Sequence, residues 1–490
     1  MSITVILTIA GLLFLLSVVA SKLSDRYGIP SLLIFILIGM LAGSDGIGGI
    51  HFQDVTITDN IGTLALAFIL FSGGFETSWP AVKPILFRGI LLSTVGVFIT
   101  GVLVAAFAYY VIGLSLTTAF LLGAIISSTD APAVFSVLRS QKLGLKGRLK
   151  PILEFESGSN DPIAVFLTVS ALHFAQGEMS SLSAFSLELA QEMLLGGLFG
   201  YGFGKLGVKI FNRLNLDFEG MYPVLGISIV FITYGVTSFL GGSGFLAVYL
   251  AGIVMGNGDY LYKFAMEKFF DSVSWLMQIM MFLLLGLLVN PNELAGVAMT
   301  GIGVVLFIIF IARPIAIYIS LVGSTFSWRG RTFIAWTGLK GAVPIILATY
   351  PIVAGYRDGQ YIFNLIFFVV LISVLLQGQT LSKVAKLLKV DKPFHNSPDY
   401  PLEFVKKQNG GDVTRDIQID PNADVVGKKV MELGLPTGVL ILLLYRMDKF
   451  LIPTGEMVIQ ADDTLLIFGP EEKLIQVSQI LTASTLAAEE

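Results

Sequence analysis

The chain has 490 residues, of which 54% are hydrophobic and 13% charged, where an ordinary soluble protein has about a quarter of its residues charged. A formal charge of -4 gives no electrostatic case for nucleic acid as a partner. The absence of cysteine excludes a disulfide scaffold and thiol catalysis, and three scattered histidines, His51, His173 and His395, argue against a His-built metal site.

Repeated apolar runs approach the ~20 residues that cross ~30 Å of hydrocarbon, so the expected class is an all-α polytopic membrane protein with about thirteen transmembrane helices. In chain order they fall near 3–21, 29–44, 60–78, 88–113, 116–138, 149–175, 186–212, 221–240, 243–258, 265–290, 296–323, 330–354 and 359–388. The opening Met1-Ser2-Ile3-Thr4 lacks the basic segment of a cleaved signal peptide. Basic residues collect in alternate loops, at Lys22 and Arg26, Lys83 and Arg88, Arg139 to Lys150, Lys205 to Arg213, Lys263 and Lys268, and Arg329 and Arg331. The intervening loops hold Asp45, Asp54, Glu178 and Glu293, with Arg357 the one base. By the positive-inside rule the N-terminus lies outside and everything after about Lys383 is cytoplasmic.

Residues 391–412 are polar and Pro/Gly-rich and read as a linker after a transmembrane domain of residues 1–390. A small cytoplasmic α+β domain is expected over 413–483, with 484–490 as a tail. Its strands are predicted at Asp416–Ile419, Gly438–Arg446, Phe450–Pro453 and Asp463–Phe468, the third after a Met447-Asp448-Lys449 turn, and its helices at Val425–Leu433 and Glu471–Leu481. So thin a core makes pairing with a second copy a natural supplement.

Charges inside spans are costly and point to function, so their depths matter. Asp161, eleven residues into the sixth span from Lys150, lies ~16 Å deep, and Thr129-Asp130, nine or ten residues before Arg139 in the oppositely directed fifth span, lie ~15 Å deep. That fifth span carries Ser127-Ser128-Thr129-Asp130-Ala131-Pro132, a polar run before a proline, which reads as a broken helix. The twelfth span has a counterpart in Gly338-Leu339-Lys340-Gly341-Ala342-Val343-Pro344, with Lys340 ~15 Å deep. The two spans are seven apart and opposite in direction, as in an inverted repeat of spans 1–6 and 8–13 whose broken helices cross at a binding site. Asp130 and Lys340 then neutralise helix ends. Ser157 and Asp161 are i and i+4 and share a face, Asn160 lies about 100° away and braces the breaks, and Glu156 is turned about 140° from Asp161. Arg313, deep in the eleventh span, is the expected partner of Glu156, because a lone buried charge is costly. Glu76, at the inner end of the third span, is placed to reach a cavity leading from the cytoplasm to Asp161. Gly200-Tyr201-Gly202-Phe203-Gly204 superficially resembles a channel filter, but it stands among Gly196, Gly197 and Gly207 and reads as a small-residue packing face.

With Glu156-Ser157-Gly158-Ser159-Asn160-Asp161, Thr129-Asp130 and Gly338-Leu339-Lys340-Gly341-Ala342 together, residues 1–388 resemble the monovalent cation/proton antiporters of the NhaP and animal sodium/proton exchanger type. The resemblance implies a homodimer, an elevator-like alternating-access cycle, and cation ligation by Asp161 and Ser157, with a backbone carbonyl from Thr129 and Glu76 nearby. It places the family's ion pair on Glu156 and Arg313. Lys340 departs from the arginine common there, and Asn160-Asp161 in place of two adjacent acids is similar to the electroneutral branch. Residues 413–483 resemble the regulatory lobe of potassium-transport gating domains (RCK_C, also called TrkA-C), through Gly427-Lys428, Pro436-Thr437-Gly438, Ile452-Pro453-Thr454-Gly455 and Asp462-Asp463-Thr464. The nucleotide-binding lobe that often precedes it is absent, so NAD is not implied. Some such lobes bind a cyclic dinucleotide, which leaves a cyclic dinucleotide or other nucleotide effector open here.

The resulting expectation is a transporter and not an enzyme, without cofactor, in a bacterial cytoplasmic (inner) membrane and embedded in its lipid. It exchanges potassium or sodium for a proton, with Asp161 holding one or the other, under control of the C-terminal domain. A regulated monovalent cation channel is the alternative.

Overall fold

The computed structural model describes residues 2–27, 30–52, 54–141, 143–177, 182–214, 216–260, 262–393, 412–420, 423–446 and 449–482. Most of the expected linker, the tail, the Met447-Asp448 part of the turn, Lys142, Glu178 and His395 lie outside them, as does the Arg26 side chain. The chain forms two units, residues 1–394 and 395–490.

Each apolar run of the first unit coincides with helix. The helices are Ile3–Tyr27, Ser31–Ala42, Val55–Glu76, Trp79–Ile112, Leu116–Ile125, Ala131–Ser140, Leu149–Gln176, Leu182–Arg213, Met221–Phe239, Gly244–Gly256, Lys263–Leu288, Pro291–Ser320, Trp328–Trp336, Ala342–Val353 and Gly359–Leu387. Seven of those described are long and apolar enough to cross a membrane, and four further apolar helices are shorter. The runs at 116–138 and 330–354 are each divided, with non-helical backbone at 126–130 and 337–341. Proline explains part of this, because Pro132 and Pro344 have no N–H to offer to a preceding turn. Gly241, with φ +75°, separates Met221–Phe239 from Gly244–Gly256, a left-handed conformation that glycine adopts without strain.

Small residues let these helices approach closely. A Cβ at Gly39 would run into the backbone of Leu283 and Gly286, and one at Gly200 would meet Ala247 of Gly244–Gly256. Gly196 and Gly204 meet Leu246 and Val254 on the same helix, so the Gly200–Gly204 motif is a packing face.

Residues 391–393, expected to open the linker, are a strand instead. Leu143–Leu145 (β1) and Asp391–Pro393 (β2) pair antiparallel, Leu143 opposite Pro393. Three residues carry no periodicity of their own, so this pairing depends on a partner almost 250 positions away.

The second unit is a four-stranded antiparallel sheet of Asp412–Gln418 (β3), Leu440–Arg446 (β4), Lys449–Leu451 (β5) and Thr464–Pro470 (β6), in the order β3-β6-β4-β5. Helix Glu471–Thr482 closes a core that includes Ile417, Leu444, Ile467, Leu474 and Val477. At the end of β4, Arg446 donates from Nε and Nη2 to the buried Asp463, both at 2.7 Å. The helix expected at Val425–Leu433 is replaced by turns and a single 3-10 turn, Val430–Glu432. Gly427 and Gly434, at φ +87° and +63°, bracket it in conformations that end a helix.

Candidate functional site

The polar side chains expected to converge do so around the two interruptions. Helix Leu149–Gln176 supplies Ser157, Asn160 and Asp161, all buried. Ala131 N–H donates to Ser157 Oγ at 2.9 Å, and Ser157 Oγ in turn donates to Thr129 O at 2.9 Å. Asn160 Nδ2 donates to Thr129 Oγ1 at 2.6 Å. One helix thus pins the first interruption through two of the side chains that the sequence singled out.

The second interruption is bound to the first. Asp130 N–H donates to Leu339 O at 2.9 Å, and Lys340 Nζ donates to Ser128 O at 2.8 Å. Asp130 Oδ1 also accepts from Ala133 N–H at 3.0 Å, so the acid caps the helix that begins at Ala131. The base does the reverse: an ammonium at exposed carbonyls suits the negative end of a helix. Contact here is close enough that a Cβ at Gly341 would fall on the Asp130 carboxylate, and one at Gly338 on the Arg313 guanidinium.

Asp161 occupies the space between. It is 7% exposed, its charged neighbours are Asp130 and Lys340, and its Oδ1 is buried without a hydrogen-bond partner. Ser157, one turn away on the same helix, uses one of its two lone pairs, and the Thr129 carbonyl one of its two. Carboxylate, hydroxyl and carbonyl oxygens are the donors that a hard alkali cation takes. Among the described residues no group of three His, Cys, Asp or Glu side chains gathers as a divalent metal would require.

Glu156, on the far side of the same helix, forms a buried ion pair with Arg313 Nη2. Arg313 follows a π-helical stretch, Ile308–Ala312, and its Nε and Nη1 have no partner. Glu76 lies at the end of the third span's helix, Val55–Glu76, on a different element from Asp161. It is exposed there, and its charged neighbours are Arg139, Glu154, Glu267 and Asp271.

Sequence reasoning missed the brace behind Lys340. Lys340 N–H donates to Ser373 Oγ at 3.2 Å, Ser373 Oγ to Gln377 Oε1 at 2.6 Å, and Gln377 Nε2 to Trp336 O at 2.7 Å. This chain closes both ends of segment 337–340. Its one signal is that Ser373 and Gln377 are polar, four apart, and set in an apolar span.

Comparison with known proteins follows the same division. The family described as sodium/hydrogen exchanger, transmembrane, matches residues 11–387, and the TrkA-C domain matches residues 415–482. A K(+)/H(+) antiporter NhaP of Alkalimonas amylolytica is 36% identical over 99% of this chain and 84% of its own. A K(+)/H(+) antiporter NhaP2 of Shewanella sp. (strain MR-4) is 38% identical over 97% of this chain and 83% of its own. Among solved structures, the sodium proton antiporter MjNhaP1 from Methanocaldococcus jannaschii at pH 8 superposes with a TM-score of 0.68 at 24% identity, covering 77% of this chain and 100% of that one. That likeness shows the fold.

Proposed function

The chain belongs to the sodium/hydrogen exchanger family and ends in a TrkA-C domain, and from that premise we propose that it exchanges potassium for protons across a bacterial cytoplasmic membrane. The observation that carries this reading is Asp161: a buried carboxyl with an unpartnered oxygen, set between two helix interruptions whose own charges are otherwise engaged. An acid in that position holds a proton or a dehydrated cation in turn, and an empty carboxylate crossing the membrane is costly. If the barrier moves only when Asp161 is neutralised, exchange is obligatory, and one charge for one makes it electroneutral. Potassium is favoured over sodium by the naming of relatives that align along nearly the whole chain.

In this reading thirteen spans form an inverted repeat, the divided helices cross at the membrane midplane, and two chains form a dimer. The N-terminus lies outside. Asp161, Ser157 and the Thr129 carbonyl ligate the cation. Asn160, Asp130 and Lys340 hold the crossing, and Glu156 with Arg313 anchors it to the span before the second break. Glu76 marks the cytoplasmic mouth. The TrkA-C domain sets the rate in response to an effector such as a nucleotide.

The test is dequenching of a trapped pH dye in proteoliposomes on addition of potassium or sodium. Wild type responds, insensitive to membrane potential, and Asp161→Asn does not. A cation current without proton movement would instead make the protein a channel.

A further inference from the structure

A tyrosine covers the approach to Asp161 along its own helix. In Leu149–Gln176, Gly158 and Asp161 follow Glu154 by four and seven residues, so the three share one face. At 1.5 Å per residue Gly158 stands about 6 Å along from Glu154, and Asp161 about 4.5 Å beyond it. The Glu154 side chain is 32% exposed, whereas Asp161 is buried. The change falls at Gly158, and there Tyr249 of Gly244–Gly256 covers the face. A Cβ at Gly158 would stand 2.3 Å from Tyr249 Cε2 and 2.8 Å from its Oη, so the ring lies directly on the backbone that carries Asp161. Glu154 and Asp161 are the charged groups that act on it.

Tyr249 packs with a different set of helices from the one it covers. Glycines seat its helix against Val55–Glu76: a Cβ at Gly74 would fall on the Tyr249 carbonyl, and one at Gly252 on that of Phe71. Tyr249 shares a buried cluster with Phe71 and Phe75, while Leu153 and Ala164 of the Asp161 helix belong to another. Its backbone is thus held on one side, and its ring crosses to the other. The ring is fully buried, but its hydroxyl, near those of Thr77 and Ser159, makes no hydrogen bond of ordinary geometry. An unsatisfied buried hydroxyl is costly, and water would satisfy it once the ring swung out.

We propose that Tyr249 is the cytoplasmic gate of the exchange site. Seated in the notch at Gly158, its ring separates Asp161 from Glu154 and from Glu76, which neighbours Glu154. When the two sets of helices part, the ring withdraws and the cation or proton passes. The ring does the closing, and the unsatisfied hydroxyl keeps the closed position reversible. The inference rests on the antiport reading of Asp161 and on its orientation in the membrane.

The chain has no cysteine, so access is readable at a single introduced thiol. Asp161→Cys is made in the full chain, and its labelling by a membrane-impermeant cationic methanethiosulfonate is timed in everted and right-side-out vesicles. Adding Tyr249→Ala speeds labelling about tenfold or more in everted vesicles, because truncating a packed ring forfeits more than one tenfold step in an equilibrium, and not in right-side-out ones. Gly158→Ala, whose methyl group displaces the ring, has the same effect. Tyr249→Phe, which keeps the ring, leaves labelling slow. Equal rates with and without Tyr249→Ala, a rise shared by both orientations, or Tyr249→Phe as fast as Tyr249→Ala overturns the gate. If Tyr249→Ala fails to reach the membrane, Gly158→Ala and Tyr249→Phe decide. Wild type that moves no protons on addition of potassium in either orientation overturns the antiport reading itself, while labelling still shows whether the ring shields position 161.

Discussion

The surroundings of Glu156 and of Asp161 differ sharply, although the two acids are five residues apart on one helix. Both are buried, 1% and 7% exposed. Glu156 has a committed counter-charge in Arg313. Asp161 has charged neighbours but an unbonded Oδ1: Asp130 caps the Ala133 N–H, and Lys340, which donates to the Ser128 carbonyl, acts on Asp161 through space. Burial alone therefore does not distinguish the two. What does is the state of their oxygens: Glu156 is bonded to a guanidinium, and Asp161 keeps a buried oxygen without a partner, as the proposed exchange requires.

The largest expected effect breaks the second environment. Asp161→Asn abolishes exchange while the protein keeps the wild-type size-exclusion profile, because asparagine hydrogen-bonds but cannot carry the exchanged charge. Next comes the first environment: Arg313→Met leaves Glu156 buried and unpaired and lowers stability by about 3–5 kcal/mol. The double variant Glu156→Leu/Arg313→Met sharpens the comparison, since Arg313 Nε and Nη1 lack partners and an imperfectly satisfied buried pair is replaceable by apolar side chains at little cost. It is expected to melt near wild type and to keep exchanging. Gln377→Leu strands the Trp336 carbonyl and loosens the Lys340 segment, for a loss of about 1–3 kcal/mol in thermal unfolding. The smallest effect is that of Asp130→Asn, because asparagine caps a helix as well as aspartate does, and a change of a few tenths of a kcal/mol is expected.

The helices were legible because an apolar run long enough to cross a bilayer leaves a local trace, and Ser127 to Pro132 and Gly338 to Pro344 showed where two of them divide. The Glu156–Arg313 contact was legible from the cost of a lone buried charge. Contacts between distant polar groups were not. Ser373 and Gln377 stand out in their span, but nothing in it names Trp336 or Lys340 as partners. Backbone acceptors such as the Leu339 and Ser128 carbonyls leave no trace in side-chain identity. Glu76 was read from its place at the end of the third span and from the resemblance, neither of which names Arg139, Glu154, Glu267 and Asp271 as the charges acting on it. In the second unit the spacing of Val425–Leu433 suggested a helix, and the left-handed backbone at Gly427 and Gly434 overrode it. The strand at 391–393 depends wholly on Leu143–Leu145.

The most direct measurement compares potassium-driven proton movement in proteoliposomes containing wild type, Asp161→Asn, or Glu156→Leu/Arg313→Met at matched protein content. Exchange in wild type and in the double variant, with none in Asp161→Asn, is the result expected if the unpartnered acid carries the cargo and the paired one only holds the fold. Exchange that persists in Asp161→Asn would contradict that assignment.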